Sequence, residues 1–328
     1  MNQRRRLLAF LAFTPAAAWP QPAAGQYRIA LLSAGFSPSD KSHPSWPAFF
    51  DRMRALGYEE GRNVTYDMRN AAGTSEQVPK MARELVAGRP HLIVVTGSTE
   101  AVAVSEVTSS IPIVMMHGSY DPVRLGLAAS LARPGRNLTG MISTIDGFSE
   151  KALELLIEAI PTAKRISVLG NPSAAHYPEF RKELERVAAA KGIALLPTAE
   201  AARPEELEAA FGRIVKERPQ AAMIHHDALF WIHRRRIIAF AAQTRLPVMY
   251  RFTEDVEAGG LMAFATEYRA LYARAPVFVD KILKGAKPGD IPIEQPTRFG
   301  LWINLKTARE LGLKIPSAVL ARAERVIE

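Results

Sequence analysis

A short segment in the first third of the chain sets narrow limits on the possible folds. Residues 92–101 read Leu-Ile-Val-Val-Thr-Gly-Ser-Thr-Glu-Ala, an apolar run followed by a polar turn and the start of a helical pattern. Such a run is typical of a parallel strand that is covered on both faces. Gly97 permits a positive φ or a close backbone approach, and Ser98 or Thr99 can cap the helix. The segment predicts an ordinary capped turn or, because the helix dipole favours anions, an anion-binding turn.

Strands and helices alternate along the rest of the chain. The predicted strands cover residues 28–33, 63–69, 92–95, 113–118, 138–143, 165–170, 193–197, 221–225, 248–250, 261–265 and 299–305. The predicted helices cover residues 46–56, 75–87, 101–107, 122–132, 177–190, 204–216, 228–244, 268–284, 306–311 and 316–327. Alternation of this kind builds parallel sheets with helices on both faces. Because the pattern restarts near residue 165, the sequence predicts an α/β fold with two units in series rather than one long sheet.

The first 25 residues have the composition of an export signal. Three arginines, Arg4–Arg6, precede a short apolar run at residues 7–13, and small residues lead to Gly25. The apolar run is too short to span a bilayer, which takes about 20 residues. The sequence therefore predicts a cleaved signal peptide over residues 1–25, with an uncleaved anchor as the alternative, and a mature protein in the periplasm.

The composition argues against several classes of protein. The chain has no cysteine, so disulfides and thiolate metal sites are not available to it. The net charge of +9 includes the three leader arginines and is otherwise spread along helices. The mature cluster Arg234–Arg236 is interpreted as a solvated helix face, because no nucleic-acid-binding motif accompanies it. We therefore expect no nucleic-acid partner.

Polar and aromatic residues follow several of the predicted strands. In open α/β sheets ligands bind beyond the carboxyl ends of the strands, and a cleft between two lobes is a preferred site for small molecules. The candidate ligand-binding residues at these ends are Ala34, Gly35, Phe36, Thr96, Gly97, Ser98, Thr99, His117, Tyr120, Asp121, Asn171, Asp227, Arg251 and Phe252. They combine polar groups for a carboxylate and an amine with flat apolar surface, which predicts a small ligand that carries such groups.

Several of these residues have a purely structural alternative. Asp227 serves equally as the N-cap of the following helix or as the partner of a ligand amine, and Asp121 is expected to cap the next helix. Arg251 either forms a bidentate pair with a carboxylate or lies on the surface. His117 contacts the ligand or is a hydrogen-bonded wall residue, and Phe252 is more typical of packing.

The sequence carries no signature of a metal site or of catalysis. His225 and His226 are adjacent at the end of a predicted strand. Neighbouring side chains of a strand point to opposite faces, so the two are not expected to bind one ion together. No nucleophile elbow, phosphate-binding loop or dinucleotide fingerprint occurs. We therefore expect no metal, no cofactor and no enzymatic activity.

Short phrases spread over nearly the whole mature chain resemble one known family. They are Gly57-Tyr58, Gly61–Val64, Ile111–Val114, Asp121–Val123, Ser130–Gly140, Leu153–Leu156, Gly259–Met262, Asp280–Pro288 and Ile303–Ala308. The combination is similar to that of the periplasmic substrate-binding proteins of ABC importers, in the branch linked to aromatic or branched amino acid uptake. The resemblance implies a type I periplasmic fold, in which two Rossmann-like lobes with parallel sheets are joined by a three-crossing hinge and close on a ligand.

The resemblance also implies lobe boundaries, residue roles and partners. Lobe 1 is expected to comprise residues 26–143 and 262–292, and lobe 2 residues 144–261 and 293–328. The turn at residues 96–99 would hold the ligand's acidic group, and Asp227 its α-amine. The implied function is capture of an amino acid or aromatic acid for an inner-membrane ABC permease and its ATPase, and a monomer suits that role. An exported ligand sensor of the same fold, which presents its ligand to a membrane signalling receptor, is the alternative.

Overall fold

The computed structural model describes residues 26–40, 43, 45–145, 147–174, 176–296 and 299–328. The predicted signal peptide, residues 1–25, lies outside the described residues. Within these ranges the chain forms two sheets, each covered by helices on both faces. None of the helices in the described ranges combines the length and the apolar character that crossing a bilayer requires.

The first sheet is entirely parallel and forms from the amino-terminal part of the chain. Its strands are β1 (Tyr27–Ser33), β2 (Val64–Asn70), β3 (Leu92–Val95), β4 (Ile113–Gly118) and β5 (Leu138–Ile142), in the order β2-β1-β3-β4-β5. The register pairs Leu31 with Val94, and β3 is buried along its whole length. Both faces of β3 are therefore covered, which agrees with its continuous apolar sequence.

The second sheet forms from the rest of the chain. Its strands are β6 (Arg165–Gly170), β7 (Ala194–Leu195), β8 (Ala199–Glu200), β9 (Ala221–Ile224), β10 (Val248–Tyr250), β11 (Met262–Ala265), β12 (Gly300–Asn304) and β13 (Ala323–Ile327). The order is β13-β12-β11-β10-β9-β6-β7, and β8 also pairs with β6. The pairs are parallel except β11–β12, which is antiparallel. Two mostly parallel sheets confirm the predicted α/β class.

Helices connect the strands and cover the sheets. Those of the first part of the chain are α1 (Trp46–Ala55), α2 (Val78–Ala87) and α3 (Ser98–Val107). The later helices are α4 (Phe148–Ala159), α5 (Tyr177–Ala190), α6 (Leu207–Glu217), α7 (Ala228–Ile232), α8 (Arg234–Gln243), α9 (Thr253–Glu257), α10 (Tyr268–Leu283), α11 (Leu305–Glu310) and α12 (Ser317–Leu320). Short 3₁₀ turns lie at Ser75–Gln77, Pro204–Glu206 and Pro288–Asp290.

The chain passes between the two sheets three times. The crossings lie between β5 and α4, between β11 and α10, and between Glu294 and β12. After the second crossing α10 packs on α1 and β4, and its Phe278 is buried with Phe49 in the core of the first lobe. Three crossings near one edge of each sheet form the hinge that the resemblance implies.

The backbone pairing departs from the predicted lobe boundaries at two places. The prediction assigns residues 262–265 to lobe 1, whereas β11 pairs with β10 and β12 in the second sheet. It assigns residues 293–294 to lobe 2, whereas their N–H groups donate to the carbonyls of Leu131 and Gly140. Backbone hydrogen bonds therefore place the second crossing after Ala265 and the third after Glu294. The division into lobes otherwise remains a prediction.

The predicted helix over residues 122–132 is wrong. One helical turn begins, with Leu125 N–H donating to the Asp121 carbonyl over 3.1 Å. Gly126 then adopts a φ of 70°, which ends the turn, and residues 127–135 continue as an irregular loop. Asp121 accepts from Val123 N–H over 2.8 Å and so stabilises a turn rather than capping a helix.

Two further helices differ from the prediction. The stretch 316–327 forms the short α12 and then β13, because the edge of β12 supplies backbone partners that override the local helical preference. The stretch 228–244 divides at His233 into α7 and α8. Strand β13 completes the second sheet. The break at His233 leaves α7, which lies at the cavity described below, only five residues long.

Candidate ligand-binding site

A cavity lies where the carboxyl ends of the strands of the two sheets face each other. The empty space within it, including the part that is continuous with solvent, is about 700 Å³. Its lining comes from both lobes and consists of Ser33, Ala34, Gly35, Phe36, His43, Ser45, Ser75, Thr96, Gly97, Ser98, Thr99, Glu100, His117, Ser119, His176, His226, Asp227, Ala228, Trp231, Phe252, Tyr268 and Tyr272. This is the position at which α/β sheets bind ligands.

Hydroxyl side chains line the wall that the first lobe provides. Ser98 Oγ accepts a hydrogen bond from Ser119 N–H over 3.0 Å, and Ser33 Oγ accepts one from Gly35 N–H over 3.2 Å. In both serines the oxygen is the acceptor, so the hydroxyl hydrogen remains able to donate to a ligand. This wall therefore offers neutral hydrogen-bond donors at the ends of β1 and β3.

Glu100 lies buried in the first turn of α3, with 3% of its surface exposed. Its Oε1 accepts from Ala34 N–H over 2.8 Å and from the Thr96 hydroxyl. Gly97 is extended, with a φ of −141°, and neither Ser98 nor Thr99 caps the helix through its side chain. A Cβ on Gly97 would lie 3.2 Å from Glu100 Oε2, so the glycine provides space for the carboxylate rather than a positive φ.

Asp227 faces Glu100 from the second lobe, at the start of α7. Its Oδ1 accepts from Asn171 Nδ2 and from Leu229 N–H, both over 2.9 Å, so the residue is an N-cap. Among the described residues no hydrogen bond reaches Oδ2, and Asp227 also lines the cavity. Burial raises the pKa of Asp227 to about 6. The structure therefore combines both alternatives, because one oxygen caps the helix and the other is available to a ligand.

Aromatic rings surround the space between these two acids. Trp231 packs against Phe252 with a centroid distance of 4.2 Å and meets Phe36 of the opposite lobe edge-on at 6.1 Å. His117 stacks on Tyr272 at 5.5 Å. Such surfaces suit a flat aromatic group, which gains from ring contacts in addition to its burial.

His226 links the two lobes at the base of the cavity. Its Nδ1 lies 2.7 Å from Ser119 Oγ, and its Nε2 lies 2.5 Å from Tyr268 Oη. Burial holds the pKa of His226 well below its ordinary value and lowers the pKa of His43, His117 and His176 to about 4. The four histidines of the lining are therefore neutral near neutral pH.

The two lobes also meet at the mouth of the cavity. Gly73 of the first lobe, with a φ of 84°, lies against α7, where an added Cβ would be 3.2 Å from Ile232 Cδ1. Glu76 and Arg203 form an ion pair across the mouth at 3.7 Å, and Arg124 Nη1 pairs with Glu179 at 3.0 Å. These contacts describe lobes that are closed over the cavity.

The structure brings most of the sequence-predicted site residues into this lining. They are Ala34, Gly35, Phe36, Thr96, Gly97, Ser98, Thr99, His117, Asp227 and Phe252. The lining does not include Tyr120, Asp121, Asn171 or Arg251. The assignment of all fourteen as ligand-binding residues remains a prediction.

These four residues lie elsewhere. Tyr120 and Asp121 line a second cavity beside the first crossing. Asn171 is fully buried behind Asp227. Arg251 is buried, not on the surface, and its guanidinium lies 4.4 Å from the centre of the Phe148 ring.

Several lining residues were absent from the sequence prediction. They are His43, Ser45, Ser75, Glu100, His176, His226, Ala228, Trp231, Tyr268 and Tyr272. Ser33 and Ser119 also line the cavity, and they lie within the strand-end segments 33–36 and 117–121 that the sequence predicts as a wall of the site. Glu100 had a signal in the sequence, because an acid three residues into a helix commonly interacts with its N-terminus. Tyr268 and Tyr272 had none, because only the return of the chain to the first lobe brings α10 to the cavity.

The adjacent histidines after β9 face different surroundings, as predicted for neighbouring residues of a strand. His226 lines the cavity, whereas His225 packs on Phe180 at a centroid distance of 4.6 Å. Within the described ranges, no group of three or more His, Cys, Asp or Glu side chains is arranged to hold a metal ion.

A family model described as ABC transporter substrate binding protein matches residues 43–327. Among characterised relatives, the chain is 26% identical over 288 residues to a tyrosine-binding protein of Clostridioides difficile (strain R20291), which covers 84% of this chain and 80% of that protein.

Two solved structures share the whole architecture. The ABC domain in complex with L-Trp from Streptococcus pneumonia is 25% identical, with a TM-score of 0.80 over 92% of this chain and 100% of that chain. A conserved domain protein from Vibrio cholerae O1 biovar El Tor is 28% identical, also with a TM-score of 0.80, over 92% of this chain and 99% of that chain.

Proposed function

This chain belongs to the ABC transporter substrate-binding protein family, and from that membership we propose that it captures an aromatic amino acid and delivers it to an ABC permease. Proteins of this family act outside the cytoplasm as binding proteins rather than as enzymes. The export-signal composition of residues 1–25 supports the same location. The observation that carries the proposal is the aromatic cavity between the lobes, with a buried acid whose second oxygen is available.

The acid accounts for the amine of the ligand. Asp227 Oδ1 is used by Asn171 and Leu229, so an ammonium group in the cavity would pair with Oδ2. Burial keeps water from competing for this carboxylate, which strengthens a charge-assisted hydrogen bond. Asp227 lies across the cavity from the hydroxyl wall. A ligand whose amine pairs with Asp227 would therefore extend between the two lobes.

The aromatic rings and the hydroxyl groups of the cavity account for the side chain and the carboxylate of the ligand. Phe36, Trp231 and Phe252 form a cage into which an aromatic side chain would insert. The ligand carboxylate would accept from neutral donors such as the Ser98 and Thr99 hydroxyls. The tyrosine-binding relative and the L-Trp complex support a ligand of this size and chemistry.

Closure of the lobes explains how capture leads to transport. A ligand that contacts Asp227 on one lobe and Ser98 on the other interacts fully only when the lobes are closed, so binding shifts the population to the closed form. The closed form would then dock on the permease. Stimulation of ATP hydrolysis by the reconstituted permease–ATPase, with loaded receptor but not with empty receptor, tests this delivery step.

Calorimetric titration with tyrosine, tryptophan and phenylalanine tests the ligand assignment. The Asp227→Asn variant keeps an acceptor for Leu229 N–H but loses the charge, so its affinity should fall by roughly 2–5 kcal/mol, at least about 30-fold. Asp51→Asn, which changes an exposed acid of α1 that does not line the cavity, is the matched control and should bind normally. Absence of binding by all three amino acids contradicts the ligand assignment, and unchanged affinity of Asp227→Asn contradicts the role of Asp227.

A further inference from the structure

The N-terminus of α3 is occupied by one of the protein's own carboxylates. Glu100 Oε1 accepts from Ala34 N–H and from the Thr96 hydroxyl, while burial raises the pKa of this carboxyl group. The side chain is 3% exposed, so it is a fixed part of the wall. This carboxyl group therefore lies beside the end of α3 at which a ligand carboxylate would otherwise be favoured.

The charges around the cavity have one sign. The described residues that line it include two acids, Glu100 and Asp227, and neither Lys nor Arg is among them. The nearby arginines lie outside: Arg234 covers the Trp231 ring at 4.6 Å from its centre, and Arg251 lies against Phe148. A bound carboxylate would thus share a buried space with two acids and no cation, whereas an ammonium would be stabilised by both.

We propose that Glu100 makes the cavity selective for the ammonium group, so that aromatic alkylamines without a carboxylate are ligands and aromatic acids without an amine are excluded. This inference rests on the proposed binding of aromatic amino acids and specifies which polar end of the ligand the site recognises. The opposite acid, Asp227, has an oxygen directed to the same space, so the two carboxylates hold the cation from both lobes. The ligand carboxylate is tolerated through neutral hydroxyl donors and adds little to the affinity.

Three compounds with the same ring separate the contributions of the two ligand ends. They are L-tyrosine, tyramine and 3-(4-hydroxyphenyl)propionate, titrated by calorimetry into the full mature chain near neutral pH. Because the phenol is common to all three, ring contacts cancel in the comparison. We expect tyramine to bind within a few-fold of tyrosine or more tightly, and the propionate to bind at least about 100-fold more weakly, since it lacks the cation and brings a third acid.

The Glu100→Gln variant tests the residue itself. The amide oxygen can still accept from Ala34 N–H, but the side chain can no longer ionise to pair with an ammonium group, so tyramine affinity should fall about tenfold or more and propionate affinity should rise. Glu106→Gln, on the exposed face of the same helix, is the matched control and should change neither. If Glu100→Gln does not fold, the three affinities of the wild-type protein still decide whether the cavity is selective for the ammonium group.

Two results distinguish this inference from the proposed function. If the wild-type protein binds tyrosine but not tyramine, the selectivity for ammonium is wrong. If Glu100→Gln leaves the tyramine-to-propionate ratio unchanged, the assignment of that selectivity to Glu100 is wrong. In both cases the receptor function stands. If tyrosine, tyramine and the other aromatic amino acids all fail to bind, the proposed function itself is wrong.

Discussion

Two strand-to-helix turns face each other across the cavity, and both present an acid, but they hold it differently. In the β3–α3 turn, Glu100 bonds within its own lobe and occupies the helix N-terminus. In the β9–α7 turn, Asp227 caps the helix with one oxygen, and the other oxygen faces the cavity. The comparison shows that the same local motif can bury its acid within one lobe on one side of the cavity and leave a carboxylate oxygen without a protein partner on the other.

The turns also differ in their relation to the opposite lobe. The β3–α3 turn lies within the first lobe, whereas α7 is in contact with Gly73 and Gly35 across the cleft. The Asp227 side of the site is therefore assembled only when the lobes close. Predictions about closure and about Asp227 test whether this difference has functional consequences.

The largest expected effect comes from Gly73→Val, which would keep α7 of the second lobe away from the first lobe. Gly73 has a φ of 84°, and an added Cβ would lie 3.3 Å from the Leu229 backbone and 3.2 Å from Ile232 Cδ1. The combination of left-handed backbone and overpacking costs about 2–5 kcal/mol, much of it in the closed state only. Because the backbone strain is the same in the open and closed states, the overpacking alone weakens binding. We expect roughly a 30-fold loss of ligand affinity by calorimetry (about 2 kcal/mol) and a larger radius of gyration by small-angle X-ray scattering.

Gly61→Val is the control for this substitution. Gly61 has a φ of 81° and open space around it, so valine there brings the same backbone strain without a contact between lobes. Its stability should fall while its affinity stays normal. Equal losses of affinity in both variants would show that backbone strain causes the loss. The close packing of α7 on Gly73 would then not be needed for ligand binding.

A change of pH is expected to have a smaller effect on ligand affinity. This effect distinguishes the contribution of Asp227 from that of Glu100. The pKa of Asp227 rises from 3.8 to about 6 on burial, so its contribution to stability is full below about pH 4 and is lost as the pH rises through about 6. An ammonium ligand pairs with the ionised form, so affinity should rise about tenfold between pH 5 and pH 7. Calorimetry over this range measures the rise.

The Asp227→Asn variant provides the contrast for the pH series. Its affinity should be weak and nearly independent of pH between 5 and 7, and its thermal stability should lose the dependence assigned to Asp227. A tenfold rise that persists in the variant would assign the titration to another group, of which Glu100, whose pKa burial also raises, is the first to examine.

The smallest effect is expected from the ion pair at the mouth of the cavity. Glu76 and Arg203 lie 3.7 Å apart with side chains 50% and 45% exposed, so solvent screens them strongly. Glu76→Gln should weaken ligand binding by less than about fivefold, and the difference should vanish in high salt. Glu185→Gln, which removes a pair within α5, should leave binding unchanged at any salt concentration.

The sequence alone predicted the architecture because its signals are local. Each apolar run that ends in glycine or a polar turn specifies a buried strand, and alternation with helices leaves few topologies. The same logic placed Thr96–Thr99 and Asp227 at strand ends, where two parallel sheets bring them together. It failed at residues 122–132, where one glycine ends a helical turn, and at β13, where a neighbouring strand decides the conformation.

The tertiary structure alone decided the chemistry of the cavity. Tyr268 reaches it because the chain returns to the first lobe, and His226 contacts Ser119 because the lobes close. Whether the N-terminus of α3 is free for a ligand depended on where the Glu100 side chain bonds, and residue spacing does not specify that choice. Backbone periodicity determines the sheets, whereas burial and long-range hydrogen bonds determine which charges a ligand meets.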